Sequence, residues 1–192
     1  MTMRSMRTMR ERLRLVVAPL VLAALVLAAA GCSFALPEGE SGSIPLMPVF
    51  NEELGIQGVV LAGCSREDAD SHDCSSVTPD EGVLQIVQAR IPGSLDDLVG
   101  LVMESTALSQ LPEASGRYKG SAFTWDLYGF ETQLKDVGPV TLRVDLALAE
   151  DDAAGYLVAI VTLPDDYESH ATWYDTVFTH VVYALAPLEE DV

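Results

Sequence analysis

Ser71, His72 and Asp73 stand side by side, and their types are those of a nucleophile, a base and an orienting acid. Neighbouring residues cannot join in successive hydrogen bonds through their own side chains, because a triad is assembled from separate elements. The tripeptide therefore reads as part of a polar loop in which alanine at Ser71 or His72 should change little. The chain also lacks a Gly-x-Ser-x-Gly turn, the usual cue for an α/β-hydrolase. Asp68, Asp70 and Asp73 offer carboxylate oxygens in one stretch, but without the central glycine and terminal glutamate of an EF-hand loop. Glu150-Asp151-Asp152 reads as a polar hairpin turn. His170 and His180 fall out of phase on one helix, so they do not form a two-histidine metal site. No catalytic residue, metal or cofactor is assigned. Trp125 and Trp173 are the candidate contacts for a ligand or partner, weighed against a role in the core.

The elements that must carry these residues begin with an address. Arg4, Arg7, Arg10, Arg12 and Arg14 precede an uncharged run from Leu15 to Ala30, which contains Pro19. Basic flank, apolar stretch and small-residue exit make the layout of a secretory signal. The run has 16 residues, whereas a membrane-crossing helix needs roughly 20. Ala29-Ala30-Gly31-Cys32 then resembles the lipobox of bacterial lipoproteins, with Ala29 where that family more often has leucine. The resemblance implies cleavage after Gly31 and lipid on the Cys32 thiol. The mature chain would then be held to the extracytoplasmic side of the cell membrane, and two acyl chains anchor stably where one does not. The expected organisation is a signal peptide over 1–31, a lipidated Gly/Ser/Pro-rich tether over 32–45 and a single α+β domain over 46–192.

Charge narrows the partners. The chain has 11 Lys+Arg and 29 Asp+Glu; with residues 1–31 removed, 6 basic and 28 acidic residues remain, a net charge near −22. Such an excess repels phosphate backbones and anionic head groups, which excludes nucleic acid as a partner and suits a solvated acidic surface. With Cys32 assigned to lipid, Cys64 and Cys74 remain on either side of the polar segment SREDADSHD. Outside the cytoplasm a disulfide closing this loop is the natural reading, with two free thiols as the alternative.

From about Val49 the chain becomes periodic. Ile56–Leu61 reads as a strand, 64–81 as a polar excursion, and Val83–Ile91 as a strand covered on both faces. Ser94 with Asp97 has the form of a capping box ahead of a helix reaching about Leu108. LPEASG is read as a connection. Phe123, Trp125 and Leu127 share one strand face. Leu142, Val144, Leu146 and Leu148 alternate with Thr141, Arg143, Asp145 and Ala147, which predicts a core face and a wetter face. Tyr156–Leu163 should pair antiparallel with that strand in a hairpin. Asp165 with Glu168 suggests a second capping box, opening one helix that carries Tyr167, Tyr174, Phe178, Val181 and Leu185 on a stripe and stops at Pro187. The sum is an α+β fold: a mostly antiparallel sheet of about five or six strands with two main helices packed on it.

The order GIQGVVLAGC, strand, helix, WDLY, VDLALAEDD, YLVAIV and closing helix resembles PsbP/Mog1-like domains over roughly residues 46 to 188. Where relatives often carry a Pro-x-Gly-Trp-like turn, this chain has Leu61-Ala62-Gly63-Cys64. The resemblance implies a sandwich doing non-enzymatic binding or assembly work, and it carries over no catalytic residue and no partner. The expectation is a membrane-tethered, non-catalytic domain that binds a protein or small apolar ligand, or assists envelope assembly. A cation- or small-solute-binding lipoprotein is the alternative, and a hydrolase ranks third.

Overall fold

The computed structural model describes residues 44–135 and 139–188. Cys32 and most of the tether lie outside the described residues. Among the described residues no helix is long and apolar enough to cross a membrane.

The fold is α+β. Strands β1 (Leu46–Asn51) and β2 (Ile56–Leu61) pair antiparallel, and β10 (Ala186–Pro187) joins the free edge of β2 in a small sheet. The larger sheet has seven strands: β3 (Ser65–Arg66), β4 (Ser71–Asp73), β5 (Leu84–Pro92), β6 (Gly116–Lys119), β7 (Thr124–Gln133), β8 (Thr141–Glu150) and β9 (Ala154–Thr162). They run in the order β3-β4-β5-β9-β8-β7-β6, all neighbours antiparallel. The expected hairpin is present, with Leu148 opposite Leu157 and Glu150 opposite Gly155. Its turn is tied by Asp151, whose Oδ1 accepts from the backbone N–H groups of Ala153 and Ala154, both at 2.8 Å.

There are more strands than the five or six expected, and they form two sheets. The additions, β3, β4, β6 and β10, are two to four residues long. Each is too short to show a period of its own, and all but β4 lie at a sheet edge. Helix α1 (Leu95–Ser105) begins at the expected capping box: the Ser94 hydroxyl accepts from the Asp97 N–H, and the Asp97 carboxylate accepts from the Ser94 N–H at 2.9 Å. It ends at Ser105, three residues short of the expectation, because Thr106 turns to bridge with Leu134.

The closing helix is two pieces, α2 (Pro164–Ser169) and α3 (Ala171–Ala184), divided at His170, whose backbone (φ −136°, ψ 33°) is non-helical. The expected Asp165–Glu168 box does not form. Pro164 starts the helix at its first position, where a missing N–H costs nothing, and this moves Asp165 inside the helix. The carboxylate of the next residue, Asp166, instead accepts from the Val83 N–H at 2.8 Å.

The seven-stranded sheet is the middle layer. On one face Leu98 of α1 is fully buried against Ile91, Phe130, Val144, Leu146, Leu148 and Ala159. The opposite face packs Leu84, Ile86, Trp125, Tyr156, Val158 and Ile160 against Ile56, Val60 and Leu61 of β2 and Tyr174, Val177 and Val181 of α3. The two-residue period of β8 is real, but its second face is not wet. Asp145, Ala147 and Ala149 are buried beneath the second layer. Asp145 is tolerated there because Arg143 pairs with it, and the same guanidinium lies 4.6 Å from the centre of the Tyr167 ring.

Candidate functional site

Two concavities lie on opposite faces of the large sheet near its β4 edge. The first is an apolar groove beside α1. Eleven residues of helix span about 16 Å, too little to cover a sheet face of this width, and the apolar side chains of β5, β9 and β8 continue past it. Val87, Phe130, Leu157, Val161 and Leu101 line a channel of about 110 Å³. Twelve of the sixteen lining residues are apolar. The hydroxyls of Ser105 and Thr106 are bound by their own helix, donating to Leu101 O and Val102 O at 2.9 Å. The Ser71 hydroxyl differs: it is buried, faces the groove and has no hydrogen-bond partner.

The second is a polar cleft of about 250 Å³ between the small sheet and the β4 end of the large one. The segment read as a loop builds its wall. Cys64 and Cys74 form a disulfide, and between them the chain folds into the β3–β4 hairpin laid against β5. Gly63, at φ 101°, takes a left-handed conformation that a side chain would strain, and a Cβ there would come within 2.7 Å of Val77. The Asp70 carbonyl accepts from the Gln88 N–H at 2.8 Å. The Asn51 amide donates to the Ala69 carbonyl, pinning the hairpin tip to the end of β1. Gly58 leaves room for Gln88, whose amide donates to the Val59 carbonyl at 2.7 Å; a Cβ at that glycine would stand 2.5 Å from the Gln88 oxygen.

Ser71 and His72 are therefore 1 % and 8 % exposed rather than loop residues tolerant of alanine. The disulfide and the β5 register bury them. Alternation along β4 sends the two side chains to opposite faces, Ser71 beside Val87 and His72 beside Ile86, so they cannot act on one substrate atom. Asp73 is spent on the next turn, accepting from the Ser75 N–H at 3.0 Å and hydroxyl at 2.7 Å. The acidic stretch is likewise dispersed: Asp68 accepts from the Ala69 N–H at 2.8 Å, while Asp70 turns into the cleft. No group of three or more His, Cys, Asp or Glu is placed to hold a metal ion among the described residues.

Asp70 and His72 both line the cleft, and Asp70 Oδ1 and His72 Nδ1 are shielded from water without a hydrogen-bond partner. Burial pushes the Asp70 carboxyl up to about 6, with the charges of Asp68 and Glu53 adding to the rise. Burial and the Arg66 guanidinium hold the His72 imidazole below its usual range. Native Asp70 thus binds a proton that the unfolded chain, at 3.8, has released, so stability declines as pH rises from about 4 to about 6. Above that window ionised Asp70 costs on the order of 2 to 3 kcal/mol. Asp70→Asn should remove this decline. Denaturant unfolding at pH 4.5 and pH 7.5 checks it, and an identical pH dependence in variant and wild type would contradict it.

Trp125 is fully buried and edge-on to Phe123 at 5.5 Å between ring centres. Trp173 is half-buried against Tyr174 at 5.0 Å. Neither lines the groove or the cleft. His170 meets Asp80 at 3.3 Å and His180 meets the Thr176 carbonyl at 2.7 Å, so the two histidines serve separate local contacts. The cleft residues that the sequence alone did not single out include Phe50, Asn51, Arg66 and Gln88. Gln88 had a signal, one of three polar residues, with Gln85 and Arg90, inside the mostly apolar run Val83–Ile91; Asn51 had none.

No protein-family model matches the chain. No curated protein matches it either. Among solved structures, the Ran-binding protein Mog1p of Saccharomyces cerevisiae aligns with 12% identity and a TM-score of 0.49, over 77% of this chain and 97% of its own. The solution structure of the PsbP protein of the cyanobacterium Synechocystis aligns with 11% identity and a TM-score of 0.39, over 83% and 99%. A Pseudomonas aeruginosa protein of unknown function aligns with 14% identity and a TM-score of 0.41, over 70% and 94%. The α+β class itself rests on the strand order and register described above.

Proposed function

We propose that this chain is an extracytoplasmic lipoprotein, tethered to the cell membrane through lipid on Cys32, whose domain holds a single-chain amphiphile without chemically changing it. The observation that carries the binding role is the groove beside α1: a slender, almost wholly apolar channel on a sheet face that one short helix leaves partly open. Its small volume, about 110 Å³, and apolar lining suit one alkyl chain. At the β4 end the unpartnered Ser71 hydroxyl offers a hydrogen bond to a head-group oxygen, which repays a buried polar group that otherwise has none. The Cys64–Cys74 disulfide fits export to an oxidising compartment. The basic flank, apolar run and Cys32 support the anchor.

Two measurements test this reading. Radiolabelled palmitate should mark the wild-type chain and not Cys32→Ser; equal labelling of both, or of neither, would remove the anchor. Separately, a photoreactive fatty acid added to isolated membranes should cross-link to residues of α1, β5 and β9. Ala159→Leu, which fills the groove floor where Ala159 is 7% exposed, should reduce that cross-linking at least tenfold while the domain stays folded, at an overpacking cost of about 1 to 3 kcal/mol. Unaltered cross-linking in this variant, or a cross-linked dimer in place of the fatty acid adduct, would refute the groove as the site.

A further inference from the structure

The polar cleft on the other face of the sheet is built unlike the groove. Its rim is apolar, with Met47, Val49 and Phe50 of β1, and Phe50 is 63% exposed although it is a large aromatic. Its interior holds two unpartnered acceptors. Asp70 Oδ1 accepts when ionised, and a neutral imidazole can present Nδ1 as an acceptor. His72 is 8% exposed, so a nine-tenths buried polar side chain stands in the wall without a bond. A pair of idle acceptors, one of them charged, calls for a ligand rich in N–H donors and positive in charge.

The surrounding charges agree. Glu53 on the β1–β2 turn and Asp68 in the hairpin both add negative potential at Asp70. Arg66, which also lines the cleft, opposes them, but its guanidinium is turned to its own loop, donating to the Asp68 carbonyl at 3.0 Å and the Ala69 carbonyl at 3.4 Å. The mature chain's net charge near −22 would draw cations toward it. Divalent metal fits less well, because two acceptors do not complete a coordination shell and no third ligating side chain joins them among the described residues.

We propose that the cleft is a second binding site, for a small primary amine with an apolar or aromatic body. The ammonium is held by the Asp70 carboxylate and the His72 imidazole, and the body lies against Phe50, whose ring face also attracts the cation. Binding gives the unpartnered Asp70 Oδ1 a charged hydrogen-bond donor. It therefore requires ionised Asp70 and weakens as pH falls through about 6. Protonation of His72 at still lower pH adds to the loss; among the neighbouring charges Arg66 opposes the amine, while Asp68 and Glu53 favour it.

The test uses the full chain in detergent and titrates β-phenethylamine by calorimetry, with 2-phenylethanol as the neutral analogue and phenylacetate as the anion. Saturable binding of the amine is expected at pH 8, at least tenfold weaker at pH 5 and at least tenfold weaker in Asp70→Asn. Phe50→Ala, at an exposed position, should weaken it several-fold without altering the melting temperature. Ala159→Leu, in the opposite groove, should leave it unchanged. Absence of amine binding in the wild type would overturn the proposal, as would equal binding of 2-phenylethanol or phenylacetate, or full affinity in Asp70→Asn.

Discussion

Trp125→Ala should destabilise the fold by about 3 to 5 kcal/mol, the cost of removing a large aromatic from a closed core. Trp125 is 0% exposed in the layer between the large sheet and α3, edge-on to Phe123. Its surroundings cannot easily collapse into the space. Gly120 already stands so close that a Cβ there would approach the indole nitrogen to 2.8 Å, and the neighbouring strands are locked in register. One effect works the other way: the indole N–H is buried without a partner, and losing an unsatisfied donor recovers about 1 to 3 kcal/mol. The measured loss should therefore fall toward the lower end of the range, and Trp125→Phe, which keeps the ring and drops the donor, should cost much less. Denaturant unfolding followed by circular dichroism gives the comparison. A loss below about 1 kcal/mol for the alanine variant would mean that the ring is not packed as described and would return Trp125 to the list of ligand contacts.

Removing the disulfide by Cys64→Ala with Cys74→Ala should cost about 2 to 3 kcal/mol, the chain-entropy value for a loop of this size. Cys74 is fully buried in the main core, and alanine is chosen for the test so that no hydroxyl is left there unpaired. The loss should be local before it is global. The β3–β4 hairpin consists of two strands of two and three residues, paired to each other and to β5 over few positions. Two such strands hold little stability of their own. Hydrogen exchange should therefore lose protection over residues 65–73 first, while the β8–β9 hairpin stays protected. Uniform loss of protection across both regions would show that the hairpin is not a separate unit. Because Asp70 and His72 belong to it, the same variant should also lose the polar cleft, while the groove keeps its apolar lining from α1, β5, β8 and β9 and loses only the Ser71 hydroxyl.

Much of the fold was legible because its signals are local. The β8 alternation, the β9 apolar run and the Ser94–Asp97 cap each depend on residues a few positions apart, and each element appears where those residues place it. The misreadings share a different cause. Asp145 reads as solvent-facing by type, yet Arg143 on the same strand neutralises it and Tyr167 of α2 arrives from elsewhere to cover the pair. Asp165 and Glu168 match a cap by spacing, yet Pro164 sets the helix start and Asp166 is drawn away to Val83, 83 residues earlier in the chain. The segment between Cys64 and Cys74 is polar throughout and looks solvated, and only the bond between its ends and the edge of β5 make strands of it.

By itself, then, the sequence determined the class of fold and the pairing of β8 with β9, and it supplied the Cys32 motif that the anchor proposal tests, since periodicity, caps and a short signal segment are written in neighbouring residues. Only the tertiary structure decided which polar residues lose their water. Asp70, Ser71 and His72 are adjacent and similar on paper, but the strand they form turns Ser71 into an apolar groove and His72 into a charged cleft, with Asp70 beside it. The physical reason is that burial is set by what packs from a distance: desolvation leaves a carboxylate oxygen, a hydroxyl and an imidazole nitrogen without partners at three consecutive positions, and that is what makes them sites.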